Sequence, residues 1–191
     1  MAFIEPFDQL VGPLTIYIAP VGTSAPAVNT TPSGDWVEMG ATDGEQSLQH
    51  SGKLTHYRDN EHQGPVKGTR PEEDIVVAFT LVSLTLEHQG RVLDQASDVV
   101  EDSGPPATKT LPLKRGPVPN EYAMLLKGEA LSPYGALPGM YVLPRGVFDN
   151  EPQLTFGKDN RAEVECEFTV WEDDNQADDA DKMGWLVVQT A

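Results

Sequence analysis

Apolar and polar residues alternate most cleanly between Arg161 and Trp171. Ala162, Val164, Cys166, Phe168 and Val170 fall on one side, and Arg161, Glu163, Glu165, Glu167, Thr169 and Trp171 on the other. This period of two predicts a half-buried strand whose polar face carries three glutamates about 7 Å apart, so that face must be in water. A second run, Ile75 to Glu87, holds apolar residues at Ile75, Val77, Phe79 and Leu81 and then changes phase to Val82, Leu84 and Leu86. A one-residue bulge near Leu81 and Val82 would keep both halves facing the core. Leu14 to Ala19, bounded by Gly12-Pro13 and Pro20, predicts an early strand, and Trp36 to Met39 a short one. Thr108 to Lys114, Tyr122 to Lys127, Met140 to Phe148 and Trp185 to Val188 read as further strands between Gly/Pro turns. One helix is predicted, His88 to Asp102, with Val92, Leu93, Ala96, Val99 and Val100 at helical spacing and Ser103-Gly104-Pro105-Pro106 as its stop.

Between these segments lie stretches with too few apolar residues for a core. Glu45 to Arg58 offers only Leu48, Leu54 and Tyr57 and reads as a polar hairpin turning at Ser51-Gly52, pairing Glu45 with Arg58 and projecting from the body. Residues 64–74, GPVKGTRPEED, read as a charged loop. Residues 1–12 read as an N-terminal arm, and 21–34 as a small-residue, flexible loop that is mobile or lies on a surface. The expectation is a single mainly β domain over 1–191, a β-sandwich or barrel with one flanking helix.

Charge narrows the function classes. The 191 residues carry 30 acidic and 13 basic side chains, a formal charge of −17, whereas a nucleic-acid groove binder needs clustered Lys and Arg against phosphates. The N-terminus has no basic residue before Lys53 and no sustained apolar run, which argues against a secretory signal. The apolar run Ile75 to Phe79 is far short of a membrane span. The single cysteine, Cys166, lies on the apolar side of its strand between glutamates and reads as buried and inert. The acidic loop with Glu172, Asp173, Asp174, Asp178, Asp179 and Asp181 lacks the spacing of an EF-hand and reads as a solvated turn rather than a calcium site. His50, His56 and His62 recur every six residues, but a turn at Gly52 would break their register, and they read as polar strand residues rather than zinc ligands. No P-loop, dinucleotide fingerprint or nucleophile elbow is present, so neither a catalytic set, a cofactor nor a metal is expected.

The polar hairpin at Glu45 to Arg58, the charged turn at Gly64 to Arg70, the strand VVAFTLVSLTLE and the helix directly after it resemble the major tail tube protein of long-tailed, siphovirus-type bacteriophages. The early LTIYIAP strand, its small-residue loop and the short strand that follows fit the same pattern. The resemblance implies a tail-tube fold in which hexameric rings close a β-barrel and stack into a tube carrying DNA from the capsid to the host. Implied partners are a homo-hexamer, a tape-measure protein, a tail terminator and tail-tip or baseplate proteins, with DNA passing unbound and no membrane involved. The implied location is the virion, after synthesis in the host cytoplasm. On this reading Glu45, Ser47, Gln49, Lys53, Thr55, Glu163, Glu165 and Glu167 are candidates to line the lumen. Phe3, Ile4, Phe7, Pro65, Val66, Lys67 and Arg70 are candidates for contacts between subunits or rings. Such rings resemble contractile-tail and type VI secretion tubes, so a tube protein of a related apparatus remains an alternative. Other rivals are a capsid decoration protein and a carbohydrate-binding β-sandwich, although Trp36, Trp171 and Trp185 are scattered rather than grouped.

Overall fold

The computed structural model describes residues 12–95, 98–149, 151–154 and 161–190. Among these residues ten strands, one α-helix and one short 3-10 helix follow in the order β1 (Thr15–Pro20), β2 (Val37–Glu38), β3 (Thr42–Tyr57), β4 (Lys67–Leu81), α1 (Leu86–Val92), β5 (Val100–Asp102), β6 (Thr108–Thr110), β7 (Tyr122–Gly128), β8 (Gly139–Phe148), β9 (Val164–Val170), the 3-10 helix (Asp179–Asp181) and β10 (Trp185–Val188). Eight strands form one antiparallel sheet in the order β2-β1-β7-β8-β9-β4-β3, with β10 paired to β8; β5 and β6 make a separate hairpin. The sheet is open, with β2 and β3 at its ends, so the barrel expected from the resemblance is not closed within the described residues of one chain.

Pairing register explains why the sheet has two unlike halves. On one face, Ile16 and Ile18 of β1, Met124 and Leu126 of β7, Phe168 and Cys166 of β9, and Val77, Phe79 and Leu81 of β4 join a continuous core. Phe148 is central to it, edge-on to Phe168 at 5.3 Å and to Phe79 at 6.5 Å between ring centroids. On the opposite face a second core covers only the β1-β7-β8 half: Tyr17, Ala19, Ala123, Leu125, Met140 and Val142, with Trp185 and Val187 of the paired strand β10 beside them, lie under Trp36, Ala25 and Val28. Strands buried on both faces lose their alternation, hence the unbroken apolar run in β1. Loop 21–34 supplies the cover. Trp36 Nε1 donates to Ser24 O at 3.0 Å, and the buried Lys127 ammonium donates to Thr30 O at 2.7 Å. In the β9-β4-β3 half, the face opposite the core has no second apolar core among the described residues.

Four local expectations are corrected. The hairpin does not turn at Ser51-Gly52: β3 runs straight through to Tyr57 and pairs along nearly all of β4, with Gly52 opposite Glu73. The turn lies at 58–66, so Glu45 and Arg58 stand at opposite ends of one strand rather than across from each other. Residues 67–74 are therefore strand, not loop. Pro71, which has no N–H to give, falls where the register shifts between Lys53 and Thr55 of β3. The phase change after Leu81 is not a bulge but the end of the strand, where Val82 N and Ser83 N both donate to Ala41 O at 3.0 and 3.3 Å. The helix is half the predicted length. Thr85 caps it by accepting from His88 N at 3.2 Å, and it stops at Leu93 because Asp94 takes a positive φ of 51°. Residues 100–102 then pair with 108–110, so the β-branched Val100 belongs to a strand and the Thr108–Lys114 strand shrinks to three residues.

Candidate functional site

The uncovered half of the sheet brings the candidate lumen residues onto one face. Residues opposite each other in antiparallel strands project to the same side, and the register places Ser47, Ala78 and Glu167 in one rung and Gln49, Val76 and Thr169 in the next. Alternation along β3 adds Lys53 and Thr55 to that side. Glu45 lies within a bulge between Asp43 and Ser47, where β3 carries two more residues than β4 and Gly44 takes a φ of 70°. Even so, Glu45 joins Ser47, Glu163, Glu165 and Glu167 in lining one open trough of about 1110 Å³. Glu163, Glu165 and Glu167 are exposed while Val164, Cys166 and Phe168 are buried, the division that the alternation predicts.

Arg161, three residues before β9, is the cation that lines this trough among the described residues. Its Nε donates to Glu163 Oε1 at 2.9 Å and its Nη2 contacts Asp43, so it ties β9 to the bulged edge strand across β4. The Glu163 hydrogen bond, then the charge of Asp43, raise the guanidinium's pKa further above its ordinary value. No sequence signal announces this clamp, because nothing in the chain's pattern shows that residues 118 positions apart meet.

Beyond the Val76–Thr169 pair, β9 no longer accompanies β4, and the β3–β4 hairpin continues alone. From His50/Ile75 to Tyr57/Lys67 is seven residue steps, about 23 Å of two-stranded ribbon. Polar pairs hold it: His50 with Glu73, and Lys53 Nζ to Glu72 Oε1 at 3.6 Å. The turn is closed by Asp59, whose Oδ1 accepts from His62 N at 2.8 Å and Glu61 N at 3.1 Å. The His62 side chain, 2.8 Å away, lowers the carboxyl's pKa. His62 is thus a turn residue, and only His50 and His56 sit in a strand. At the far end Leu54, Tyr57 and Val66 are about half exposed (51, 50 and 51%). Residues 52–70 hold four basic and two acidic side chains, against nine and 28 in the rest of the chain. Arg58, Lys67 and Arg70 form no ion pair among the described residues.

Of the candidates for contact between subunits, Pro65 and Val66 stand in the turn and Lys67 and Arg70 in β4. Phe3, Ile4 and Phe7 lie outside the described residues. In the acidic loop, Asp173 is buried and accepts from Asn175 N at 3.1 Å and from the amides of Asn175 and Gln176 at 3.0 and 2.7 Å, while Asp174 and Asp179 hold Lys182. Among the described residues no three His, Cys, Asp or Glu side chains converge as a metal site would require, and no helix is long and apolar enough to cross a membrane.

No protein-family model matches the chain, and no curated protein sequence matches it. Among solved structures, one chain of the six-fold symmetrised cryo-EM structure of the anti-feeding prophage baseplate aligns over 94% of this chain and 95% of its own, at 12% identity and a TM-score of 0.47. At those values the likeness carries no functional weight, and function is read from the residues of this chain.

Proposed function

We propose that the chain is a structural subunit of a bacteriophage tail, a tail tube protein whose hexameric rings close a barrel and stack around a channel for DNA. One observation carries the reading: the sheet ends in a 16-residue edge strand, β3, that packs only Leu48 against the core and continues as an unsupported ribbon. An isolated two-stranded ribbon is marginal in water, and an open edge of that length invites pairing. Both are resolved if β3 of one subunit meets the sheet of the next until the ring closes.

The trough face then becomes the lumen wall. A conduit must not retain its cargo, and carboxylates repel phosphates over a range set by the Debye length of about 8–10 Å. The Ser47–Gln49 rungs beside Glu163, Glu165 and Glu167 provide such a wall. Pro65, Val66, Lys67 and Arg70, at the ribbon's end, make the contacts from ring to ring. The tape-measure, terminator and baseplate proteins are the partners this role requires, and the virion its location; no catalytic step is assigned.

Negative-stain electron microscopy over a concentration series, with native mass spectrometry on the same samples, tests this. Six-fold rings or tubes with a central channel are expected. Stable trimers that never stack would replace the reading with that of a capsid decoration protein. In particles, Glu163→Lys with Glu165→Lys should permit assembly and slow DNA ejection; unchanged ejection would move these residues off the lumen.

A further inference from the structure

The ladder on the outer edge of β1 is finished by a side chain. β2 pairs with β1 at Ile18/Val37 and Tyr17/Glu38, and Met39 N donates to Ile16 O at 2.9 Å. Bonded positions in an antiparallel pair recur every second residue, so the next on that edge is Leu14, and its main-chain partner would be Ala41. Ala41 is turned elsewhere. The chain crosses to the other half of the sheet at Gly40, where φ is 82° and a Cβ would stand 2.7 Å from Ser83 Cβ, and Ala41 O accepts from Val82 N and Ser83 N. Gln46 supplies the partner instead. Its Oε1 accepts from Leu14 N and its Nε2 donates to Leu14 O, both at 2.8 Å. This is the double exchange of a bonded residue pair, made by a carboxamide. The same Nε2 donates to Thr42 Oγ1 at 2.8 Å.

Gln46 is half-buried in the bulge of β3, beside Gly44 and Glu45, where β3 holds two more residues than β4. Before the bulge Asp43 faces Thr80, and after it Ser47 faces Ala78. Were the first alignment carried further along, Glu45 would face Ala78 and Ser47 would face Val76. The two alignments differ by two residues and put the same side chains on the trough side, so alternation does not choose between them. Side chains do. Arg161 contacts Asp43 at the start of the bulge, and the exchange with Leu14 holds its end. We infer that Gln46 is the positioning residue of β3: by pairing with Leu14 it fixes where the bulge sits, and with it the register in which β3 lies on β4 and is offered to a neighbouring strand. That last step rests on the reading of β3 as the assembly edge.

Solution NMR on the dilute full chain reads the register through proton–proton contacts between opposed residues, and relaxation dispersion at residues 44–49 detects a shifted alignment even as a minor state. In the parent, Ser47 should contact Ala78 and the Leu14 amide should exchange slowly with solvent. Gln46→Met keeps the length of the side chain and makes neither bond. The Leu14 amide should then exchange at least about fivefold faster, the effect of losing two hydrogen bonds, and contacts between Glu45 and Ala78 should appear beside the parental ones. Gln46→Glu at neutral pH has the shape of glutamine but only accepts, so it meets Leu14 O without a proton and should shift as Gln46→Met does. A side chain needed only to fill space or to meet water would tolerate that change. In sedimentation velocity both variants should assemble more weakly than the parent, in proportion to the share of the parental alignment that is lost.

Parent-like exchange of the Leu14 amide in Gln46→Met, or a Gln46→Glu chain that keeps the parental alignment alone, would overturn the proposal. So would variants whose alignment shifts while they assemble as tightly as the parent, since register would then not govern what β3 offers. A shifted alignment in both variants, with a parent chain that stays monomeric at millimolar concentration, would instead overturn the tail-tube reading and leave the role of Gln46 in the register of β3 standing.

Discussion

Cys166 shows how much a single position owes to its surroundings. Burial in the β9 core pushes its thiol pKa up to about 12, so the thiolate that reacts with disulfide reagents is nearly absent at neutral pH. The expected result with such a reagent is no labelling of the folded chain and one equivalent after denaturation; labelling at native rates would contradict the burial. Asp173 makes the opposite case. Hydrogen bonds, that from Gln176 foremost, lower its pKa. The stability it adds is thus full above the unfolded carboxyl value near 4 and is lost as pH falls through the lowered native value. Asp173→Ala should cost about 1–3 kcal/mol at pH 7 and less at pH 2.5, as read from urea melts at both. At Gly146 an added Cβ would stand 2.5 Å from both Phe168 Cε1 and Thr169 O. Gly146→Ala should therefore lower stability by about 1–3 kcal/mol through overpacking. The alternation around Cys166 is enough to foresee its burial. The burial of Asp173 is not foreseeable, because an acidic run looks solvated until Asn175 and Gln176 are seen to turn inward.

At the scale of elements, the strands with a core on at least one face are legible in the sequence: β1, β7, β8 and β10 stand within a residue of their expected places, and β9 ends within one residue of its expected end but begins three residues late. The ribbon and the helix are not. Residues 67–74 pair with β3 through backbone bonds and polar contacts such as Lys53 to Glu72, and a strand that buries neither face leaves no hydrophobic period in the sequence to read. Conversely, Val99 and Val100 continue the helical spacing of α1 by coincidence after Asp94 has ended it. The candidate lumen residues gather onto one face even though their hairpin turns elsewhere than expected. Their every-second-residue spacing survives in a longer strand. Because the ribbon buries little, replacing residues 54–70 with a two-residue Asn-Gly turn should change unfolding stability by no more than about 1 kcal/mol while abolishing stacking. A large loss of stability would show that the ribbon supports its own subunit.

For the whole molecule, the dominant fact is the separation of charge, a net −17 overall with a basic end on the ribbon. Self-repulsion keeps such subunits apart in dilute solution, and salt acts in two opposing ways. Screening weakens the repulsion between bodies as well as the attraction of the basic ribbon end for the acidic surface of a neighbour. If attraction of opposite charges orients the approach, the association rate should fall several-fold between 50 and 500 mM NaCl with little change in the dissociation rate, as stopped-flow light scattering would report. An association rate that rises with salt would mean that repulsion between the acidic bodies outweighs the attraction.

The two irregularities in the β3–β4 pairing, at Asp43/Ser47 and at Lys53/Thr55, bear on fidelity. A strand with Leu48 as its one core contact has no continuous buried stripe to penalise sliding, and a slip of one residue would exchange Ser47 and Gln49 for Leu48 and His50 on the trough side. The bulges break the strand's translational sameness into short, uneven lengths. A neighbouring strand laid along it then fits in one alignment only, so they act as the notches of a key, selecting register where hydrophobicity cannot.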